Sequence, residues 1–257
     1  MAYGPEIRSY RGAATAASSV VIDAGLRAYM LRVYNWMASG LLLTGIVSYG
    51  ISQSSLINAL YPMVQNANGD MVRSTSLLAY IAIFSPMAFV LVLSLGVNKL
   101  STRTAQGLFW AFCAAMGLSL TNIFLIYTQS SVVEVFFITA GTFGAMSLYG
   151  YTTGTDLTKM GSFLIMGVVG LLIAMVVNFF MHSSALQFMI SILGVLIFTG
   201  LIAYDTQRIK ADYVQFGNSF GLDLANKRSV YDALTLYLNF INLFMFLLQL
   251  MGNRRGN

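Results

Sequence analysis

Seven apolar runs of about twenty residues dominate the chain, each long enough for a helix rising 1.5 Å per residue to cross roughly 30 Å of hydrocarbon. They fall near Tyr34–Ser52, Leu77–Val97, Ala105–Thr128, Val132–Tyr151, Ser162–Met181, Ala185–Tyr204 and Val230–Met251. A soluble domain would need a polar shell to cover such runs. With 57% hydrophobic and 9% charged residues among 257, this chain has none to spare; ordinary soluble domains carry about 25% charged. The runs predict an all-α integral membrane protein, a seven-transmembrane-helix bundle. The connections are short except Gln53–Ser76 and Asp205–Ser229, so a single bundle over 29–257 follows an N-terminal tail over 1–28.

The basic residues orient the bundle. With the N-terminus in the cytoplasm, eleven Lys and Arg lie inside (Arg8, Arg11, Arg27, Arg32, Lys99, Arg103, Lys159, Arg208, Lys210, Lys227, Arg228) and only Arg73, Arg254 and Arg255 outside. This is the positive-inside bias. The Arg254–Arg255 pair resists it, which leaves a re-entrant last segment as the alternative to a seventh crossing. The net charge of +5 is scattered over connections and ends, so no nucleic-acid partner is expected. Near the N-terminus, Ala13–Ile22 is rich in Ala, Ser and Thr and stops at Asp23. It makes a poor signal-peptide core, and a disordered cytoplasmic tail is expected instead. Cys113 is the only cysteine, which excludes internal disulfides and cysteine-built metal sites; no cofactor or bound metal is expected. Gly40, Gly45 and Gly50, Gly141 and Gly144, and Gly167 and Gly170 read as close-packing positions between helices.

Ionisable groups inside such runs cost about 2.5–3.5 kcal/mol at the bilayer centre, so the exceptions are candidate functional residues. Asp205 closes the sixth run, three residues before Arg208, a spacing that suits a salt bridge on one helix face. Asp232 opens the seventh and also suits the positive end of a helix dipole. Glu134 opens the fourth, where it reaches interfacial water or a pore mouth. Asn239, Asn242 and Gln249 punctuate the last helix and suit interhelical hydrogen bonds. Enzyme chemistry finds little footing. Ser147 lacks the G-x-S-x-G setting of a nucleophile, and the only histidine, His182, falls at the opposite membrane surface. Neither H-E-x-x-H nor a phosphate-binding loop occurs. The chain reads as a non-enzyme.

Three ordered segments resemble the bacterial Bax inhibitor-1 family. They are Gly141-Thr-Phe-Gly-Ala-Met-Ser-Leu-Tyr-Gly-Tyr-Thr-Thr with Asp156-Leu, Ile202-Ala-Tyr-Asp-Thr-Gln-Arg-Ile-Lys, and Ala233-Leu-Thr-Leu-Tyr-Leu-Asn-Phe-Ile-Asn-Leu-Phe with Gly252-Asn-Arg-Arg behind it. With span number and spacing, the likeness covers residues 25 to 255. The resemblance implies that the last helix is central, wrapped by the other six, in a bacterial inner membrane. It also implies a pH-sensitive cation leak, most simply for Ca²⁺, with proton-sensing aspartates on the sixth and seventh helices and a basic latch on the second.

The first aspartate carries over to Asp205. The second position in the motif is Asn239 here, and the latch has only Lys99 and Arg103 as nearby candidates. Two carboxylates in one poorly solvated site repel and share a proton; an Asp–Asn pair does not. Asp232, seven residues and two turns before Asn239, is the possible substitute. With Asp205, Asn239 and Glu134 it offers oxygen ligands for a hard cation at different depths. The alternative function is a membrane-embedded modulator of a partner such as a membrane protease, with the Ala-rich N-terminal tail as its handle.

Overall fold

The computed structural model describes residues 6–65, 69–97, 99–216 and 221–255, with residues 6–23, 216 and 222 described by backbone alone. Its long helices are α1 (Glu6–Gln53), α3 (Leu77–Gly96), α4 (Thr102–Ser119), α6 (Gln129–Thr152), α7 (Thr158–Met181), α8 (Ser184–Phe216) and α9 (Leu222–Met251). Short α2 (Leu56–Leu60) and two strands, β1 (Met63–Gln65) paired antiparallel with β2 (Met71–Arg73), lie between α1 and α3, and α5 (Ile123–Ile126) extends the α4 segment. Hydroxyl caps start three of the helices. Ser76, Ser101 and Thr128 accept from the backbone N–H three residues on, at 3.2, 3.2 and 3.4 Å.

Among the described residues, six segments are long and apolar enough to cross a membrane: Leu77–Gly96, Thr102–Ile126, Gln129–Thr152, Thr158–Met181, Ser184–Gln215 and Asp223–Met251. The chain is an all-α, multi-pass membrane protein. The first predicted run, Tyr34–Ser52, lies within α1 and is absent from the six. Its polar positions include Ser39, Thr44 and Ser48, of which Thr44 and Ser48 are buried. The packed part of α1 also begins earlier than expected: Leu26, Tyr29 and Met30 are core residues. The stretch expected as a disordered tail has a helical backbone from Glu6. The Ala-rich segment weighed as signal peptide or partner handle falls on side chains outside the described residues.

A second expectation fails at Asp205–Ser229. Instead of a long connection, α8 runs on to Phe216 and α9 starts at Leu222. At 33 and 30 residues these helices span about 50 and 45 Å, well beyond the hydrocarbon. Charged residues such as Lys210 and Asp212 end a hydropathy run without ending a helix, since backbone hydrogen bonding continues into water. The arms pair through Arg228 and Asp212 at 2.6 Å.

The last helix is the most buried span, and it packs against α1, α4, α6 and α8. Outer helices α3 and α7 pack chiefly on α4 and α8. At one end of the bundle, Lys210 Nζ donates to Tyr151 O (2.8 Å), Gln207 Nε2 to Thr155 O (2.7 Å), and Arg32 to Asn226; this is the basic end. At the other, Thr128 N donates to Asn253 O (3.0 Å) and Arg255 N to Ile126 O (2.8 Å). The Arg254–Arg255 segment therefore sits opposite Arg208, and α9 runs the length of the bundle rather than turning back.

The glycine expectations divide. A Cβ on Gly40 would strike Cys113 and Phe109, and one on Gly167 would strike Ile197. Gly45, Gly50, Gly141, Gly144 and Gly170 face open space. The tightest approach is Gly150 on α6 against the backbone of Ala203 on α8, which the run pattern did not single out.

Candidate functional site

Polar groups collect along the seam between antiparallel α8 and α9. Asp205 is no helix end; it lies within α8, 6% exposed, opposite Asn239 on α9, also 6% exposed. Asn239 Nδ2 donates to Asp205 Oδ2 at 2.7 Å, and Arg208 Nη2 donates to Asp205 Oδ1 at 2.8 Å, the salt bridge expected from the spacing. Each carboxylate oxygen thus has a donor, as a charge withdrawn from water requires. The Arg208 side chain is 41% exposed and its guanidinium lies 6.0 Å over the Tyr204 ring. One partner of the ion pair is fixed in the core while the other reaches solvent.

Asp232 lies two turns, about 10.5 Å, from Asn239 toward the basic end. Its Oδ2 accepts from Tyr29 OH at 2.5 Å, and the Tyr29 ring stacks on Tyr213 at 4.9 Å. Asp205 and Asp232 are therefore held by different partners and form no carboxylate pair. Asp232 borders a cavity that Asp205 meets only through its partner Arg208. The cavity, of about 360 Å³, is lined by Arg208, Asp212, Arg228, Tyr231, Asp232 and Thr235.

Farther along the seam the polarity stops. Phe198 stacks on Phe246 at 5.8 Å, and Gly194 lets the Phe246 ring lie against the α8 backbone. Beyond this dry layer, Gln187 Nε2 and Ser191 Oγ both donate to Gln249 Oε1, at 2.7 and 3.1 Å. Gln249 was legible as a glue residue; its partners were not.

The other candidates lie elsewhere. Glu134 is exposed on the first turns of α6, thirteen residues and about 20 Å from Ser147, which is at the depth of Asp205. Lys99 and Arg103 are exposed at the α3–α4 connection, and among the described residues neither pairs with Asp205 or Asp232. The basic group on Asp205 comes from its own helix. Ser147 Oγ sits between Tyr34 OH (2.6 Å) and Thr206 Oγ1 (3.1 Å), while His182 caps the far end of α7 with a left-handed φ of 51°. No Ser–His pair forms. Among the described residues, no group of three or more His, Cys, Asp or Glu comes together.

Two hydroxyl networks escaped the sequence reading because single tyrosines and threonines carry no signal in a run. One is the Tyr34–Ser147–Thr206 chain. In the other, Tyr237 OH donates to Thr44 Oγ1 at 2.6 Å, and Thr44 Oγ1 donates to Cys113 O at 2.9 Å. They tie α1 to α6, α8, α4 and α9.

Known proteins share this chain nearly end to end. A Rickettsia prowazekii protein is 44% identical over 241 residues, 94% of this chain and 96% of its own length. A Caulobacter vibrioides protein is 43% identical, covering 91% and 92%. The inner membrane protein YbhL of Escherichia coli is 41% identical over 232 residues, covering 90% and 94%. The family described as inhibitor of apoptosis-promoting Bax1 matches residues 26–256. With that match over nearly the whole bundle, the chain belongs to the Bax inhibitor-1 family of multi-pass membrane proteins.

Proposed function

We propose that this protein is a gated leak for cations, Ca²⁺ in particular, running along the α8–α9 seam, and that it is not an enzyme. The observation that carries the reading is the Asp205 site: a buried carboxylate whose neutral partner, Asn239, is fixed and whose cationic partner, Arg208, is half in water. When Arg208 swings out, Asp205 and Asn239 are left as oxygen ligands for a hard cation. When it returns, its charge repels the ion and closes the seam. The cavity beside Asp232 serves as the basic-end vestibule, and the Gln187–Gln249 cluster borders the other. Phe198 and Phe246 form the apolar constriction between them.

In this reading the protein sits in a bacterial inner membrane with α1 as a seventh crossing and the N-terminus in the cytoplasm. Support comes from the basic residues gathered at one end, and from Leu42, Ile46 and Tyr49 facing outward along α1. With Cys113 replaced by Ala, single cysteines at Ala24 and Thr75 should label from opposite sides of the membrane. Labelling of both from one side would remove the seventh crossing.

Ca²⁺ flux into liposomes containing only this protein tests the leak. Arg208→Gln should raise flux several-fold, and Asp205→Ala should lower it toward protein-free vesicles. Wild-type flux no greater than that of empty vesicles refutes the leak.

A further inference from the structure

A second feature lies on the opposite flank of α9, away from the Asp205 seam. Between α1 and α6 runs an apolar groove of about 640 Å³, floored by Phe240, Ile241 and Phe244 of α9 and walled by Gly45, Ser48 and Val133 among others. A Cβ on Gly45 would meet nothing within 4 Å, so the groove is open at that level. Leu42, Ile46, Val133 and Phe137 beside it are exposed, as lipid-facing residues are.

Ser48 is the anomaly. It is 3% exposed, and its hydroxyl has no hydrogen-bond partner in the protein. Among the described residues only the Tyr231 hydroxyl shares that condition, and comparable span hydroxyls are satisfied: Thr121 and Thr139 donate to carbonyls four residues back, at 3.0 and 2.7 Å. An orphaned donor in an apolar setting costs about 1–3 kcal/mol, so a missing acceptor is the simplest explanation. Ser48 also has a telling depth. It lies five residues, about 7.5 Å, before the end of α1 at Gln53, so with α1 crossing as proposed above it sits near the depth where headgroups give way to hydrocarbon.

We propose that this groove is a glycerophospholipid site of the leaflet nearest the chain's C-terminal end. One acyl chain lies along Gly45 and Phe244, and an ester carbonyl accepts a hydrogen bond from Ser48 as the hydroxyl turns to meet it. A partner helix fits less well, because it would have to place one carbonyl lone pair or polar side chain at that point, as Cys113 O is placed for Thr44, whereas every glycerophospholipid carries its acceptors at the base of its chains. An ester brings a free acceptor to that depth. The site is independent of the leak.

The test compares an ester phosphatidylglycerol with its diether analogue, which keeps the chains and headgroup but lacks the carbonyls. The protein is placed in nanodiscs holding both lipids in equal amounts, and the lipid retained after release is counted by native mass spectrometry. Wild type should retain the ester lipid by about five-fold over the ether, the worth of one hydrogen bond. Ser48→Ala should bring that ratio close to one, and Gly45→Leu should lower retention of both lipids. Equal retention of ester and ether by wild type overturns the site, as does an unchanged ratio in Ser48→Ala. A disulfide-linked dimer formed efficiently by Phe137→Cys in a Cys113→Ala background also overturns it, by showing a second protein copy at the groove.

Discussion

Helices α7 and α9 invert the soluble-protein rule. Over its most apolar window α7 has a mean hydropathy of 2.6 and is 11% buried; α9 has 1.7 and is 56% buried. In a bilayer the surroundings are as apolar as any core, so hydropathy rises with lipid contact and polarity gathers where helices meet. The most greasy helix is the wall, and a markedly less apolar one is the axis. Asn239, Tyr237 and Gln249 on α9 all have partners on neighbouring helices, while α7 shows Phe179 and Phe180 to the outside.

The largest expected effect comes from exchanging one aromatic for alanine in each helix. Phe246→Ala removes a buried ring stacked on Phe198 and should cost about 3–5 kcal/mol. Phe179→Ala, at a position 73% exposed, should stay within about 0.5 kcal/mol. Unfolding in mixed micelles with a graded denaturing detergent measures both. Equal losses would break the contrast.

Glycines sharpen the comparison at intermediate size. Gly150→Leu drives a side chain into the Ala203 backbone and should cost about 3 kcal/mol. Gly170→Leu on α7 meets open space and should match wild type in the same assay.

These pairs also show what a sequence of this kind conceals. Apolar runs locate membrane spans because length and hydropathy are set by the bilayer, and the Asp205–Arg208 bridge was legible because helical spacing alone creates it. The packing glycines were only half legible, since Gly45 and Gly150 look alike until the neighbouring helix is in place. Helix length was hidden at α8 and α9, where charged turns continue into water. The tyrosine partners of Asp232 and Ser147 were hidden too, because their contacts reach across the fold to α1.

The smallest effect belongs to the exposed connection before α7. Asp156 accepts from the Thr158 hydroxyl at 2.6 Å and from its backbone N–H at 2.9 Å, which holds the carboxyl below the usual carboxylate range. A lowered folded-state value means the contribution is present above the unfolded value of about 3.9 and is lost as pH falls through the folded one. Asp156→Ala should therefore lower the melting temperature slightly at pH 7, and the gap from wild type should close in acid. A gap that widens as pH falls would reverse the sign.

The central claim is that Asp205 limits ion passage along the α8–α9 seam, with Asn239 facing it. Ca²⁺ flux through Asn239→Asp across roughly pH 5 to 8 tests it most directly. The variant sets two carboxylates where a 2.7 Å hydrogen bond now lies, and their repulsion makes them share a proton. Its flux should gain a pH-dependent step in that range, wild type should be flatter there, and Asp205→Asn in the variant background should erase the step. Traces that superimpose for all three proteins would contradict the assignment of the ion path to this site.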